Sequence, residues 1–263
     1  MTVIYDWPIW VPLVTLLIIS LASTELGFRR GRAQQVTDSE RDILSTIRTS
    51  TLGLIALLLG FSFAITSNRF NERSRLVMDE ANAIGTCYLR AGLLAEPASG
   101  EIRAALRRYT DLRIESFARG IDQREFDRLA DHMHAALDEL WTGVTHAVST
   151  DRNVALASAI VPAANEVVDL STTREWIRRY HMPAAVVLLL ALSITICSAM
   201  VGHALGEAGR RRVGLSLGFN LLIILVVFVV LDFDRPRRGL IRVDQTPLIQ
   251  LRESMNAAPA QRP

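Results

Sequence analysis

Four stretches of the chain are nearly free of charge and about long enough to cross a bilayer as helices: Trp7–Ser23, Thr49–Ser67, Met182–Val201 and Val213–Leu231. The second does not stop where its apolar run ends. Phe63, Phe70, Val77, Ala81, Ile84, Tyr88 and Ala91 continue at three-and-four spacing, and no proline interrupts Arg48 to Ala95. One helix leaving the membrane and entering an aqueous region is predicted there, reaching roughly 70 Å at the rise of an α-helix.

The helical period persists between the second and third apolar runs. Glu96-Pro-Ala-Ser-Gly100 reads as a turn. Glu101–Arg119 carries Ile102, Leu106, Tyr109, Leu112 and Phe117 on one side. A break at Gly120-Ile-Asp122 precedes Asp122–Ser149, with Phe126, Leu129, Met133, Leu137, Leu140 and Val144 in register. Asp151–His181 follows, with a bend expected at Pro162. The predicted fold class is therefore an all-α, multi-pass membrane protein with four transmembrane helices and a helical bundle between the second and third. The expected divisions are 1–67, a first transmembrane hairpin; 68–181, the bundle; 182–231, a second hairpin; and 232–263, a C-terminal tail. Pro236 and Gly239 stop the last membrane helix, and Gln245–Met255 reads as a short amphipathic helix. Asp38 or Ser39 is the expected N-cap of the long second helix.

Composition agrees with the membrane assignment, since 50% of the 263 residues are apolar. The first run lacks a basic leader and a small-x-small cleavage site, so a span is expected rather than a signal peptide, with Trp7 and Trp10 as interfacial anchors. A net charge of +2, with every basic residue an arginine, gives no reason to expect nucleic acid as a partner. Arginines flank both sides of the membrane almost equally, so the positive-inside rule chooses no orientation. Cys87 and Cys197 suggest neither a disulfide framework nor a metal site.

Candidate chemistry is sparse. No phosphate-cradling glycine loop, H-E-x-x-H or G-x-S-x-G motif is present, and no enzyme or cofactor is expected. In the second helix Ala56, Gly60 and Ala64 have the spacing of close helix contact, as do Gly214 and Gly218 in the fourth. Beside the first of these runs a bulkier stripe, Leu54, Leu58, Phe61 and Ile65, leading to Asn68 and Arg69. Around an axis of identical helices it would form an apolar constriction opening on arginines; it fits a lipid-facing surface equally. Asn220 is a polar group within the membrane, expected to bond a neighbouring helix. Glu80, Asn82 and Thr86, with Asn165 and Glu166 as partners, form a polar group read either as an inter-helix hydrogen-bond network or as a ligand site. Asp232 and Asp234 are weak candidates for a cation, with pairing to Arg235, Arg237 or Arg238 the favoured alternative.

Leu58-Leu-Gly-Phe-Ser-Phe-Ala64, Arg69-Phe70, Glu80-Ala-Asn-Ala-Ile-Gly-Thr86, Leu89-Arg-Ala91, Val161-Pro-Ala-Ala-Asn-Glu166 and the segment from Pro236 to Val243 together resemble a bacterial membrane family described as bestrophin-like. The order hairpin, helical bundle, hairpin and tail is similar to that of bestrophins, pentameric anion channels whose second helix lines an apolar neck. The resemblance implies Leu58, Phe61 and Ile65 as neck residues and Asn68, Arg69 and Arg73 at an anion entrance. It also implies a homo-oligomer, a pentamer, in the bacterial inner membrane, with lipid and a small anion such as chloride as partners and the bundle and termini cytoplasmic. The acidic calcium clasp of animal bestrophins is reduced here to Asp232 and Asp234, which makes calcium gating an unsupported expectation. A second function class, a non-conducting membrane scaffold or sensor whose bundle binds a protein, fits the same residues.

Overall fold

A computed structural model describes residues 7–34, 37–119, 123–151, 153–180, 182–235 and 239–257. All regular structure among them is helical: α1 Trp10–Ala33, α2 Asp38–Ala91, α3 Ala98–Arg119, α4 Gln123–Thr150, α5 Val154–Arg179, α6 Ala184–Glu207, α7 Val213–Phe233 and α8 Thr246–Asn256. The chain divides into two compact units, Met1–Phe70 with His181–Ile241, and Asn71–Tyr180 with Arg242–Pro263. The 54-residue α2 contributes to both.

Local chemistry sets the helix ends. α2 starts from a reciprocal capping box: Glu40 accepts from the Thr37 backbone N–H at 2.9 Å, and Thr37 Oγ1 accepts from the Glu40 N–H at 3.4 Å. The cap is thus Thr37, one residue before the expected Asp38 and two before Ser39, since it is the Thr37 hydroxyl and the Glu40 carboxylate that bond each other's backbone N–H. Asn153 caps α5 by accepting from the N–H groups of Ala155 and Leu156. α5 runs on through Pro162, which lies on an exposed face.

Among the described residues, five helices are long and apolar enough to cross a membrane: α1, α2, α5, α6 and α7. α5 is an addition to the four read from the pattern. It belongs to the second unit, where Arg174 on it meets a buried carboxylate.

In the first unit, α1 packs most closely along α6 and then α7, rather than forming a tight hairpin with α2. The reason is a glycine-to-backbone contact. A Cβ on Gly27 or Gly31 would collide with the backbone of Ala199 or His203, and one on Gly202 or Gly206 with that of Thr24 or Phe28. Two G-x-x-x-G pairs thus face each other, and lipid-embedded helices gain most from such close approach because burial of apolar surface drives little there. Within this chain the Gly60 and Gly214–Gly218 positions, expected to do this, make no such contact: an added Cβ would meet nothing within 4 Å. Beside the glycine seam, Asn220 of α7 donates to Thr24 Oγ1 at 3.2 Å and to Ser216 O at 2.8 Å, and accepts from Ser198 Oγ at 3.0 Å. One amide therefore ties α1, α6 and α7, as the expectation for Asn220 required. Leu16, Ile194, Ile223, Val227 and Leu231 close the apolar core of this unit.

In the second unit, Ile84, Cys87, Ile102, Leu106, Leu140, Val144, Ile160 and Val167 are buried on facing sides of α2, α3, α4 and α5. The tail returns as α8, whose Leu248 and Met255 are buried; Leu251 packs over Gly85, and Tyr88 Oη donates to Met255 O at 3.3 Å.

Gly202→Leu should destabilise the chain by about 1–3 kcal/mol through forced separation of α1 and α6. Gly218→Leu, at an open position, should stay within about 0.5 kcal/mol. Thermal unfolding of both variants in one detergent checks this, and equal losses would show that the assigned glycine seam is wrong.

Candidate functional site

The membrane part of α2 has a narrow covered side and a wide bare one. Ile55, Ser62 and Thr66 are buried, spaced seven and four apart on one face. Leu58 is half-buried, whereas Phe61 and Ile65 are 59% and 46% exposed. Gly53, Ala56, Gly60 and Ala64 are also exposed on the flank beside them. Within the chain, then, the expected neck stripe is largely uncovered.

Asn68 is exposed as well, but Arg69 turns away from that side. Its Nη1 lies 3.8 Å from Asp234 Oδ1, next to Phe233, which meets Phe63 and Phe70 at centroid distances of 5.7 and 5.3 Å. Asp234 and Asp232 are both fully buried. Asp234 Oδ2 accepts from the Met182 N–H at 2.8 Å; Asp232 accepts from the N–H groups of Leu240 and Ile241, each at 2.9 Å. A side chain at Gly239 would strike the Asp232 carboxylate, so a glycine is needed there. These carboxylates fasten the chain entering α6 and leaving α7. Arg235 donates to Trp7 O at 2.6 Å; Arg237 and Arg238, the other expected partners, lie outside the described residues. No group of three or more potential metal ligands occurs among the described residues.

In the second unit Arg73 is buried, and its Nη2 donates to Tyr180 O at 2.8 Å. It secures the end of α5 instead of standing open to solvent. Of the three residues expected at an anion entrance, only Asn68 is exposed.

Glu80 is fully buried and forms the centre of the most concentrated polar cluster in this unit. Arg113 Nε donates to its Oε1 at 2.9 Å, Tyr109 Oη donates to the same oxygen, and Arg174 Nη1 donates to Oε2. Three helices, α2, α3 and α5, meet on one carboxylate. Burial by itself would raise the Glu80 pKa, but the charges of Arg113 and Arg174 with their hydrogen bonds outweigh it and hold the carboxyl below its ordinary value. Burial pushes the Tyr109 phenol well above its usual range, with Glu80 adding to the shift, so it stays a hydrogen-bond donor. Burial lowers the Arg174 pKa despite Glu80; Arg113 is raised, because Glu80 more than offsets its burial.

Asn82, Thr86, Asn165 and Glu166 are all exposed, and the structure does not gather them around Glu80. The partners that sequence reading missed are Arg113 and Arg174, 33 and 94 residues away from Glu80. Helical spacing carries no information at such separations. Tyr109 was visible as a member of the apolar side of α3, without its hydroxyl's role. Cys87 is fully buried in the same unit, and desolvation pushes its thiol up to about 12, making it a poor nucleophile near neutral pH.

With this geometry established, the comparisons place the chain. The family model described as the bestrophin-like domain matches residues 14–248. The chain belongs to the bestrophin-like family and is a helical membrane protein. Its fold is similar to two solved structures. One, described only as a membrane protein in a mutant form, aligns with TM-score 0.66 at 14% identity, over 94% of this chain and 95% of its own. The other is a mutant of a bacterial bestrophin homologue from Klebsiella pneumoniae, with TM-score 0.63 at 14% identity, over 97% and 96%. No curated protein matches the sequence.

Glu80→Gln should cost about 3–5 kcal/mol, since it leaves two buried guanidinium groups without their counter-charge. Because the folded-state pKa of Glu80 lies below its ordinary 4.5, the stabilisation is complete above that value and drains as pH falls through the lowered one. Denaturant melts should therefore show a gap between wild type and variant that is constant near neutrality and narrows below about pH 4. A pH-independent gap would contradict the ion-pair assignment.

Proposed function

We propose that this chain is one subunit of an oligomeric, bestrophin-type ion channel with α2 at its axis, conducting anions such as chloride. The supporting observation is the bare membrane face of α2. Phe61 and Ile65 are exposed and Leu58 is only half-covered by its own chain, and their flank of small residues, Gly53, Ala56, Gly60 and Ala64, suits close contact with another helix. Set around an axis, the bulky stripe makes an apolar constriction of the kind that gates by dewetting. Family membership supports the channel class, the pentameric assembly and the placement in the bacterial inner membrane with bundle and termini in the cytoplasm.

One observation favours a second reading on selectivity. Arg69 faces Asp234 and Arg73 is buried against Tyr180, so neither supplies a free positive charge to an entrance. A neck built from Leu58, Phe61 and Ile65 selects by width and wetting more than by charge, and cations then pass as well as anions.

Liposomes carrying the purified protein, assayed for chloride and sodium flux, test both readings. Chloride flux above empty liposomes is expected, with a severalfold increase for Phe61→Ala and Ile65→Ala as the neck widens. Equal sodium flux would select the second reading. Absence of any flux from well-folded oligomers of all three proteins would replace the channel with the scaffold or sensor.

A further inference from the structure

At the membrane end remote in sequence from Asp234, a polar cluster joins three helices of the first unit. Arg48 of α2 places Nη2 2.6 Å from Glu207 Oε2 and 3.1 Å from His203 Nδ1, both on α6. The other ring nitrogen, His203 Nε2, is 2.9 Å from Gln34 Oε1, just after α1. The remaining oxygen, Glu207 Oε1, is buried, makes no hydrogen bond, and lies 3.2 Å from His203 Nδ1. The Glu207 side chain is 6% exposed.

These distances accommodate a neutral imidazole. Nε2–H donates to Gln34, and the Nδ1 lone pair accepts one Arg48 hydrogen while the other goes to Glu207 Oε2. A lone pair and a carboxylate oxygen then face each other at Nδ1 and Glu207 Oε1, which is unfavourable. One proton added at Nδ1 reverses both relations: Nδ1–H donates to Glu207 Oε1, and the ring no longer accepts from Arg48 but repels it. The His203 backbone lies against Gly27 and Gly31 of α1, which places the ring at this junction.

We propose that His203 is a proton-binding site whose occupancy sets how firmly α2 is tied to α1 and α6. The charged groups facing it are Arg48 from α2 and Glu207 from its own helix; α1 presents the neutral Gln34, with Arg32 exposed before it. In the connection after α6, Arg211 is engaged with Glu25 and the Phe28 ring. The neutral state holds α2 through Arg48 to both His203 and Glu207. The protonated state keeps only the bond to Glu207, now shared with the imidazolium. This inference is independent of whether the chain conducts ions.

The test uses the full chain in lipid nanodiscs. Histidine-selective 15N labelling gives signals from five side chains, and the one lost in His203→Gln is followed between about pH 8 and pH 5. On the proposal it passes from the Nε2–H tautomer to the doubly protonated ring within this range. Over the same range, amide exchange in residues 39–51, corrected for intrinsic rate, should quicken on the order of tenfold in wild type and stay flat in His203→Gln. A ring that remains neutral throughout, or an exchange change that survives in His203→Gln, would overturn the proposal. The wild-type spectra decide the first point even where a variant folds poorly.

Discussion

The second unit depends on one carboxylate. An isolated ionised Glu80 at zero exposure would carry a desolvation cost of several kcal/mol. It is tolerated only because Arg113, Arg174 and Tyr109 arrive at its two oxygens together. Those residues come from α3 and α5, so the electrostatics fix how far along α2 each of those helices sits. A slip of one turn in either would strand a buried charge. Apolar packing around Ile84, Ile102 and Leu106 tolerates small adjustments of register far better. The carboxylate thus supplies specificity where the surrounding core supplies most of the cohesion, and α8 is laid over the result through Leu248, Leu251 and Met255.

The membrane unit solves its packing problem with other means, for a reason that lies in its solvent. Hydrocarbon is as apolar as leucine, so exposed leucines on α6 and α7 lose nothing by facing outward. What remains is close contact and hydrogen bonding. The facing glycines of α1 and α6 give the first, and the Asn220 amide between Thr24 and Ser198 gives the second. α2 takes part in neither. Its Gly53 and Gly60 meet no backbone of their own chain, which explains how a membrane helix next in sequence to α1 is left the least enclosed.

Periodicity carried the helical plan well. The run from Phe63 to Ala91 was legible as one helix, and Gln245–Met255 foretold α8 to within a residue at each end. Residues whose role depends on a distant partner were not. Glu80 sits among Val77, Ala81 and Ile84 at seam spacing, so its burial could be suspected, but nothing local distinguishes Arg113 and Arg174 from the other arginines. Arg69 and Arg73 illustrate the same limit: a guanidinium just past an apolar run looks solvent-facing until Asp234 and Tyr180 are placed beside it. Gly27 and Gly31 are different. Their G-x-x-x-G spacing was present in the chain, and the matching pair Gly202 and Gly206 shows that the close contact was written in both partners.

The ties on α2 within the membrane unit are few and lie mainly at its two ends. Arg48 meets His203 and Glu207 at one end; Phe63, Arg69 and Phe70 meet Phe233 and Asp234 at the other. Along the stretch between, Ile55, Ser62 and Thr66 are buried and Leu58 and Leu59 partly so. Phe61 and Ile65 are borne on the exposed side of this stretch. On the proposed channel reading, a change of partners at the end contacts would carry the stripe with it and alter the width of the constriction. An apolar constriction responds steeply to width, since a small widening lets water in. Control is then expected from polar groups far from the neck, which can change partners, while the neck residues need only be bulky and apolar.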